Sequence, residues 1–172
     1  MSDEDRPRGV SADAVARVLE GLGFTDAVMI PDGESRELHT ALRDSHLNVW
    51  EPTREGEGVA IAAGLWVGGR RPVVALQNTG MLEAGDAIRG CGLGPAIPLV
   101  LLIGWRGYAG AARGALPVDS AYTYTLPTLD AWEIPHRTLM ADDDLGVISE
   151  MADLASSTSR PCAVVYGFPF RP

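Results

Sequence analysis

Three acidic residues crowd the stretch Glu51-Pro52-Thr53-Arg54-Glu55-Gly56-Glu57-Gly58, and directly behind them runs Val59-Ala60-Ile61-Ala62-Ala63-Gly64, small and apolar. This order places Glu55 at the mouth of a helix whose body offers no polar partner. A carboxylate desolvated in such a place has its pKa raised toward values useful for proton exchange near neutral pH, which makes Glu55 the first candidate for chemistry. The same residue types have a plainer use. Glu51, Glu55 and Glu57 can act as acids that complement a helix dipole, at roughly 0.3 to 1 kcal/mol each. Spacing alone leaves both readings open.

The other reactive side chains are scattered. Cys91 and Cys162 match no C-x-x-C or zinc spacing and read as reduced thiols of a cytoplasmic core. His39, His46 and His136 form no ligand cluster either, and lone histidines are ordinarily surface or satisfied structural residues. The net charge is −9 and the chain contains no lysine, which argues against a nucleic-acid surface. Met1 to Gly9 is charged and has no apolar core, so neither a signal peptide nor a membrane span is expected there. Residues 1–10 read as a disordered lead-in, and residues 11–172 as one domain large enough to bury a full core.

The elements that must position Glu55 follow from periodicity. Val15, Val18, Leu19 and Leu22 recur at helical spacing after Ser11, a natural N-cap, and Gly21 and Gly23 stop the run. Ala27-Val28-Met29-Ile30 is a short buried strand that opens into Pro31-Asp32-Gly33, and a helix follows over about 35–43. Further strands are expected at 47–50, 72–76, 98–103, 137–140 and 162–166, with helices at 55–67, 83–89 and around Leu145 to Leu154. The run Pro98-Leu99-Val100-Leu101-Leu102-Ile103 is the most apolar and suits a central strand, while Tyr108 to Tyr124 fits no period and reads as a loop. Strands alternating with helices predict an α/β domain: a three-layer helix-sheet-helix sandwich with a mostly parallel sheet of about six strands.

In such a sheet ligands bind beyond the carboxyl ends of the strands. Four segments fall there: Pro31-Asp32-Gly33, Pro52 to Glu55, Gln77-Asn78-Thr79-Gly80 and Gly104-Trp105-Arg106-Gly107. The plain alternative for the third is turn chemistry, with Thr79 capping the next helix, and for Arg106 a surface ion pair. No G-x-x-x-x-G-K-[ST] loop, H-E-x-x-H or G-x-S-x-G motif occurs, and Gly90-Cys91-Gly92-Leu93-Gly94 follows a helix where a dinucleotide fingerprint would follow a strand.

In that order, Pro31-Asp32, Arg54-Glu55-Gly56 with Ala62-Ala63-Gly64, Gln77-Asn78-Thr79-Gly80 and Gly104-Trp105-Arg106-Gly107 resemble the pyrimidine-binding (PYR) domain of thiamine-diphosphate enzymes. The likeness is strongest to the sulfopyruvate and phosphonopyruvate decarboxylases and extends over about 11–167. The resemblance implies that Glu55, rather than Glu57, hydrogen-bonds the aminopyrimidine ring of the cofactor and promotes ionisation at its thiazolium C2, which then attacks a 2-oxo acid. It also implies cofactor contacts at Thr79, Gly80 and Met81, and substrate contacts at Asp32, Gln77, Asn78 and Arg106. The G-D-G motif that holds Mg²⁺ in such enzymes is missing, Gly85-Asp86-Ala87 being the nearest string. A separate β subunit carrying the diphosphate-binding (PP) domain is therefore expected to supply Mg²⁺ and half of the active site, in an α2β2 or larger heteromer.

One departure is Met81-Leu82-Glu83, where close relatives of the family have a glycine and an asparagine after the strand-end turn. A bulkier, acidic turn predicts a pocket that disfavours a sulfonate or phosphonate tail. The classes left open are a decarboxylase subunit, a carboligase subunit and a non-catalytic α/β binding protein that kept the fold.

Overall fold

The computed structural model describes residues 9–116 and 119–172. Six strands form one sheet in the order β2-β1-β3-β4-β6-β5, every adjacent pair parallel. They are β1 (Asp26–Met29), β2 (Asn48–Trp50), β3 (Pro72–Gln77), β4 (Val100–Gly104), β5 (His136–Leu139) and β6 (Cys162–Tyr166). The expected three-layer α/β architecture is therefore present, and the most apolar run of the sequence supplies β4, one of the two middle strands.

Alternate side chains of the strands feed two cores, as the period-2 geometry of a buried strand requires. On one face Ala27, Met29, Val73, Ala75, Leu102 and Val164 meet α1 (Ala12–Gly21), α2 (Arg36–Asp44) and α8 (Gly146–Thr158). On the other face Val28, Val74, Leu76, Leu101 and Ile103 meet α3 (Glu55–Val67), α4 (Asn78–Glu83) and α7 (Ser120–Ala131). Ser11 caps α1 by accepting from Ala14 N at 3.3 Å, as its position before the apolar period suggested. Small residues let α3 lie close on the sheet: a Cβ on Gly58 would come 3.1 Å from Pro52 and 3.5 Å from Val28.

Helix α2 connects β1 to β2 on one face, and α3 returns from β2 to β3 on the other. The connections leaving β1 and β3 thus run in opposite directions, and the crevice between their carboxyl ends is the topological switch point where ligands of such sheets bind.

Three expectations change. The helix placed at 83–89 starts at Asn78, directly after β3, and continues through α5 (Gly85–Ala87) into a π-helical segment, Ile88–Leu93. Asn78 Oδ1 accepts from Thr79 N at 3.0 Å, so the Asn-Thr-Gly string opens a helix instead of making a turn, and Thr79 is not the cap. The loop placed at Tyr108 to Tyr124 contains α6 (Tyr108–Ala111) and the start of α7, whose cap is Asp119 accepting from Ala121 N. Its buried residues are Ala121, Thr125 and Leu129, so a threonine in the middle of the buried stripe hid the helical period. Finally, Gly9 and Val10 are docked instead of disordered: Gly9 N donates to Met140 O at 3.3 Å and Val10 O accepts from Arg171 N at 2.8 Å. Residues 1–8 lie outside the described residues. Among those described, no helix is long and apolar enough to cross a membrane.

Candidate functional site

The three acids of the opening stretch separate once the chain is folded. Glu51 accepts from Arg43 at 2.8 Å and contacts His39 Nε2 at 2.6 Å, and those two bonds hold its carboxyl below the usual range. Glu57 is exposed and accepts from both the main-chain N and the Oγ1 of Thr53 at 2.9 Å, bonds that lower its pKa. Glu55 is different. It is half-buried and has no hydrogen bond or ion pair among the described residues.

Its surroundings are apolar. Glu55 lies at a crevice lined by Val28, Met29, Ile30, Pro52, Gly58, Val74, Ala75 and Leu76, between the carboxyl ends of β1 and β3. The enclosed space is only ≈ 10 Å³, about the room one water needs. A crevice of that size does not enclose a ring by itself. Those residues fit the pyrimidine half of thiamine diphosphate: one free carboxylate for a ring nitrogen and an apolar bed for the ring.

The other sequence candidates fall into two groups. Gly80 stays against the Glu55 side chain, and Thr79 Oγ1 donates to Gln77 Oε1 at 2.8 Å. The side chain of Met81 is wholly buried in the core under α4, so the side-chain contact with cofactor expected of it is not available. Asn78 is also fully buried. Its amide donates to Thr125 Oγ1 at 3.0 Å and to Arg106 O at 3.3 Å, which makes it an anchor tying α4 to α7 and to the loop after β4 instead of a substrate contact. Asp32 Oδ1 accepts from the main-chain N of Glu34 and Ser35 and so builds the start of α2. The Arg106 guanidinium is over half exposed and 3.9 Å from Asp119, and it lines an open cleft of ≈ 520 Å³ with Gly107, Gly110 and Ala111.

The premise behind a changed substrate tail fails. Glu83 does not face the crevice: its Oε1 accepts from Arg54 at 2.6 Å and its Oε2 accepts from Gly56 N at 3.0 Å. The acid of Met81-Leu82-Glu83 is committed to the start of α3.

Sequence reasoning also missed a second grouping at the same sheet edge. Burial pushes the Glu34 carboxyl up, nearby Asp32 adds to the rise and Arg106 opposes it. The Tyr166 hydroxyl is buried without a partner among the described residues, and a Cβ on Gly104 would lie 2.7 Å from it. Burial first, then Asp32 and Glu34, raise its pKa. The signal for Glu34 was present one residue beyond Pro31-Asp32-Gly33; Tyr166, in an unbroken apolar strand, gave none. A separate ≈ 290 Å³ hollow lined by Trp66, Arg70, Arg71 and Pro98 lies at the amino ends of the strands, the wrong edge for a ligand site of this fold.

A parallel sheet with a free carboxylate over an apolar switch-point crevice defines a cofactor-binding α/β domain that presents one wall of a site. The chain belongs to the thiamine pyrophosphate enzyme family, N-terminal TPP binding domain, whose model matches residues 10–123. Over 90% of its length it is 28% identical to the sulfopyruvate decarboxylase subunit alpha of Methanothermobacter thermautotrophicus, covering 94% of that protein. The subunit of the same name from Methanococcus maripaludis is 24% identical over 90% of the chain and 93% of its own length. A phosphonopyruvate decarboxylase of Streptomyces viridochromogenes is 35% identical over 102 residues, 58% of this chain but only 25% of that protein.

Proposed function

We propose that this chain is the PYR subunit of a split thiamine-diphosphate-dependent 2-oxo acid decarboxylase, with substrates of the sulfopyruvate and phosphonopyruvate type, and that Glu55 is its cofactor-activating acid. The observation that carries the reading is the contrast among three neighbouring carboxylates: Glu51 and Glu57 are hydrogen-bonded, and Glu55 alone is left free over the crevice. When bound, the cofactor supplies the electron sink for loss of carbon dioxide. The protein's part is to share a proton between Glu55 and the ring nitrogen at the crevice mouth and to offer the ring an apolar surface poor in water there. Thr79, Gly80 and Met81 lie in α4 directly after β3, and on this reading the cofactor contacts fall there. Gln77, Asp32 and Arg106 stand along the sheet edge, where the cation of Arg106 suits an anionic substrate.

The remainder of the site belongs to a partner on this reading. Among the described residues no three His, Cys, Asp or Glu side chains gather as a metal site, and Asp86 of Gly85-Asp86-Ala87 is 90% exposed and paired with Arg89 at 2.6 Å. Relatives named "subunit alpha" support a partner subunit; on this reading it is a PP-domain β subunit that brings the Mg²⁺ ligands, in an α2β2 or larger assembly in the cytoplasm. Leu82, 36% exposed on α4, offers apolar surface for such a partner.

Calorimetry and carbon dioxide release provide the test. The chain alone should bind thiamine diphosphate and Mg²⁺ weakly and release no carbon dioxide from sulfopyruvate, phosphonopyruvate or pyruvate. Adding a subunit with the G-D-G motif should restore both. Tight cofactor binding by the isolated chain would overturn the split site, and turnover of none of the three acids by the assembled protein would overturn the decarboxylase.

A further inference from the structure

Helix α4 touches the Glu55 region in two places. The Glu55 side chain lies across the Cα of Gly80: a Cβ built there would fall 2.3 Å from Glu55 Cγ, 2.4 Å from Oε1 and 2.6 Å from Cδ, all under the 3.0 Å that side-chain carbons do not cross. Gly80 has no positive φ, so its backbone does not require glycine. In a helix that residue is destabilising relative to alanine, and the three nearest atoms such a methyl would meet all belong to the Glu55 side chain. One turn on, Glu83 accepts from Arg54 Nη2 at 2.6 Å, from Arg54 Nε at 3.2 Å and from Gly56 N at 3.0 Å. The residues on both sides of Glu55 are thus held by α4, while Glu55 itself is left unbonded.

We propose that α4 is the positioning element of Glu55, with Gly80 as the seat that lets the carboxylate lie over the crevice and Glu83 as the clamp on the Arg54 side chain and the Gly56 main chain either side of it. The proposal rests on the reading of Glu55 as the activating acid. It gives Gly80 a role other than cofactor contact and Glu83 a role other than substrate selection. A carboxylate aimed by steric support keeps its lone pairs for a ligand, whereas one aimed by donor hydrogen bonds would lose basicity to them. Glu51 and Glu57 show that second outcome within the same few residues.

The test is Gly80→Ala, whose added methyl meets a flexible side chain and no backbone, so the domain should fold and Glu55 should swing away. Thermal unfolding of the isolated chain gives a readout free of cofactor. In a Glu55→Ala background the methyl has room, and helix propensity should raise Tm by about 1–4 °C. In the native background the same change should leave Tm flat or lower it. The second readout is hydrogen–deuterium exchange at the C2 of saturating thiamine diphosphate in the complex with the PP subunit. Gly80→Ala should slow exchange about 10-fold or more, with cofactor affinity within about threefold; Glu83→Ala should slow it less. Equal Tm changes in both backgrounds would overturn the seat. Exchange that falls in Glu55→Gln but not in Gly80→Ala or Glu83→Ala would overturn the positioning and leave the acid standing. Exchange unchanged in Glu55→Gln itself would remove the acid assignment, and the proposal with it.

Discussion

Replacing Glu55 and Glu57 by glutamine should produce opposite patterns, because the two side chains have opposite surroundings. Glu57 accepts two hydrogen bonds from Thr53 at the start of α3. Glutamine keeps one acceptor oxygen but loses the charge that strengthens both bonds and complements the helix dipole, so Glu57→Gln should lower Tm. Glu55 has no partner to lose, so Glu55→Gln should stay within about 0.5 kcal/mol of the native stability. Chemistry should run the other way. Glutamine cannot share a proton with the ring nitrogen, and a general acid–base group contributes about 10² to 10⁴-fold, or roughly 2.7 to 5.4 kcal/mol of barrier. Turnover and C2 exchange in the reconstituted complex should fall by that factor in Glu55→Gln and by less than about threefold in Glu57→Gln once folding is corrected for. Equal kinetic losses in the two variants, or a larger one in Glu57→Gln, would refute the assignment of the acid.

Asn78→Ala should cost about 2–3 kcal/mol, or roughly 5–10 °C in Tm, since it leaves the buried Thr125 hydroxyl oxygen without its donor; differential scanning calorimetry reads this, and a change in KM with no change in Tm would return Asn78 to the substrate. Asp26 is buried, which alone would raise its pKa, but bonds from Arg70, Thr25 and Trp50 outweigh burial and hold it below the ordinary 3.8. Its folded pKa being depressed, the stabilisation is present above that value and lost as pH falls through the lower folded one, so Asp26→Asn should cost about 2–3 kcal/mol at pH 7 and converge with the native chain only in strong acid. Arg106→Ala should raise KM for a 2-oxo acid several-fold in the assembled enzyme with an unchanged circular dichroism spectrum; unchanged kinetics would make Arg106 a surface ion pair with Asp119.

Much of this architecture could be read from the sequence because strands buried on both faces are written as unbroken apolar runs. Val100 to Gly104 and Cys162 to Tyr166 have every residue buried, and both were legible as strands. Glu55 was legible because an acid precedes a helix body of alanine, glycine and valine. Asn78 misled for a definite reason: Asn-Thr-Gly has turn composition, and only the tertiary partners Thr125 and Arg106, 47 and 28 residues away, turn it into a helix start. Tyr108 to Tyr124 misled because its order comes from aromatic packing that has no sequence period. Trp105 stacks on Tyr122 at 5.3 Å and lies 4.8 Å from Tyr108, which meets Phe168 edge-on. Glu83 looked like a specificity determinant because sequence order puts it after the strand-end turn; a helix there instead of a turn carries it round to Arg54.

The half-exposure of Glu55 links assembly to activity. A carboxylate is desolvated only when something covers it, and the crevice of ≈ 10 Å³ cannot enclose a ring by itself. The chain supplies the bed, the free acid and its steric support, all on one side of the place where a pyrimidine would lie. On the proposed reading the partner and the cofactor together cover the other side, so that cofactor retention and desolvation of Glu55 occur in one step. On this account a subunit waiting for its partner exposes an idle carboxylate and does no chemistry. The arrangement also explains why Glu55 is aimed by Gly80 rather than by a donor: a donor in the open half-site would remain bonded to the carboxylate after assembly, and the ring nitrogen would have to displace it.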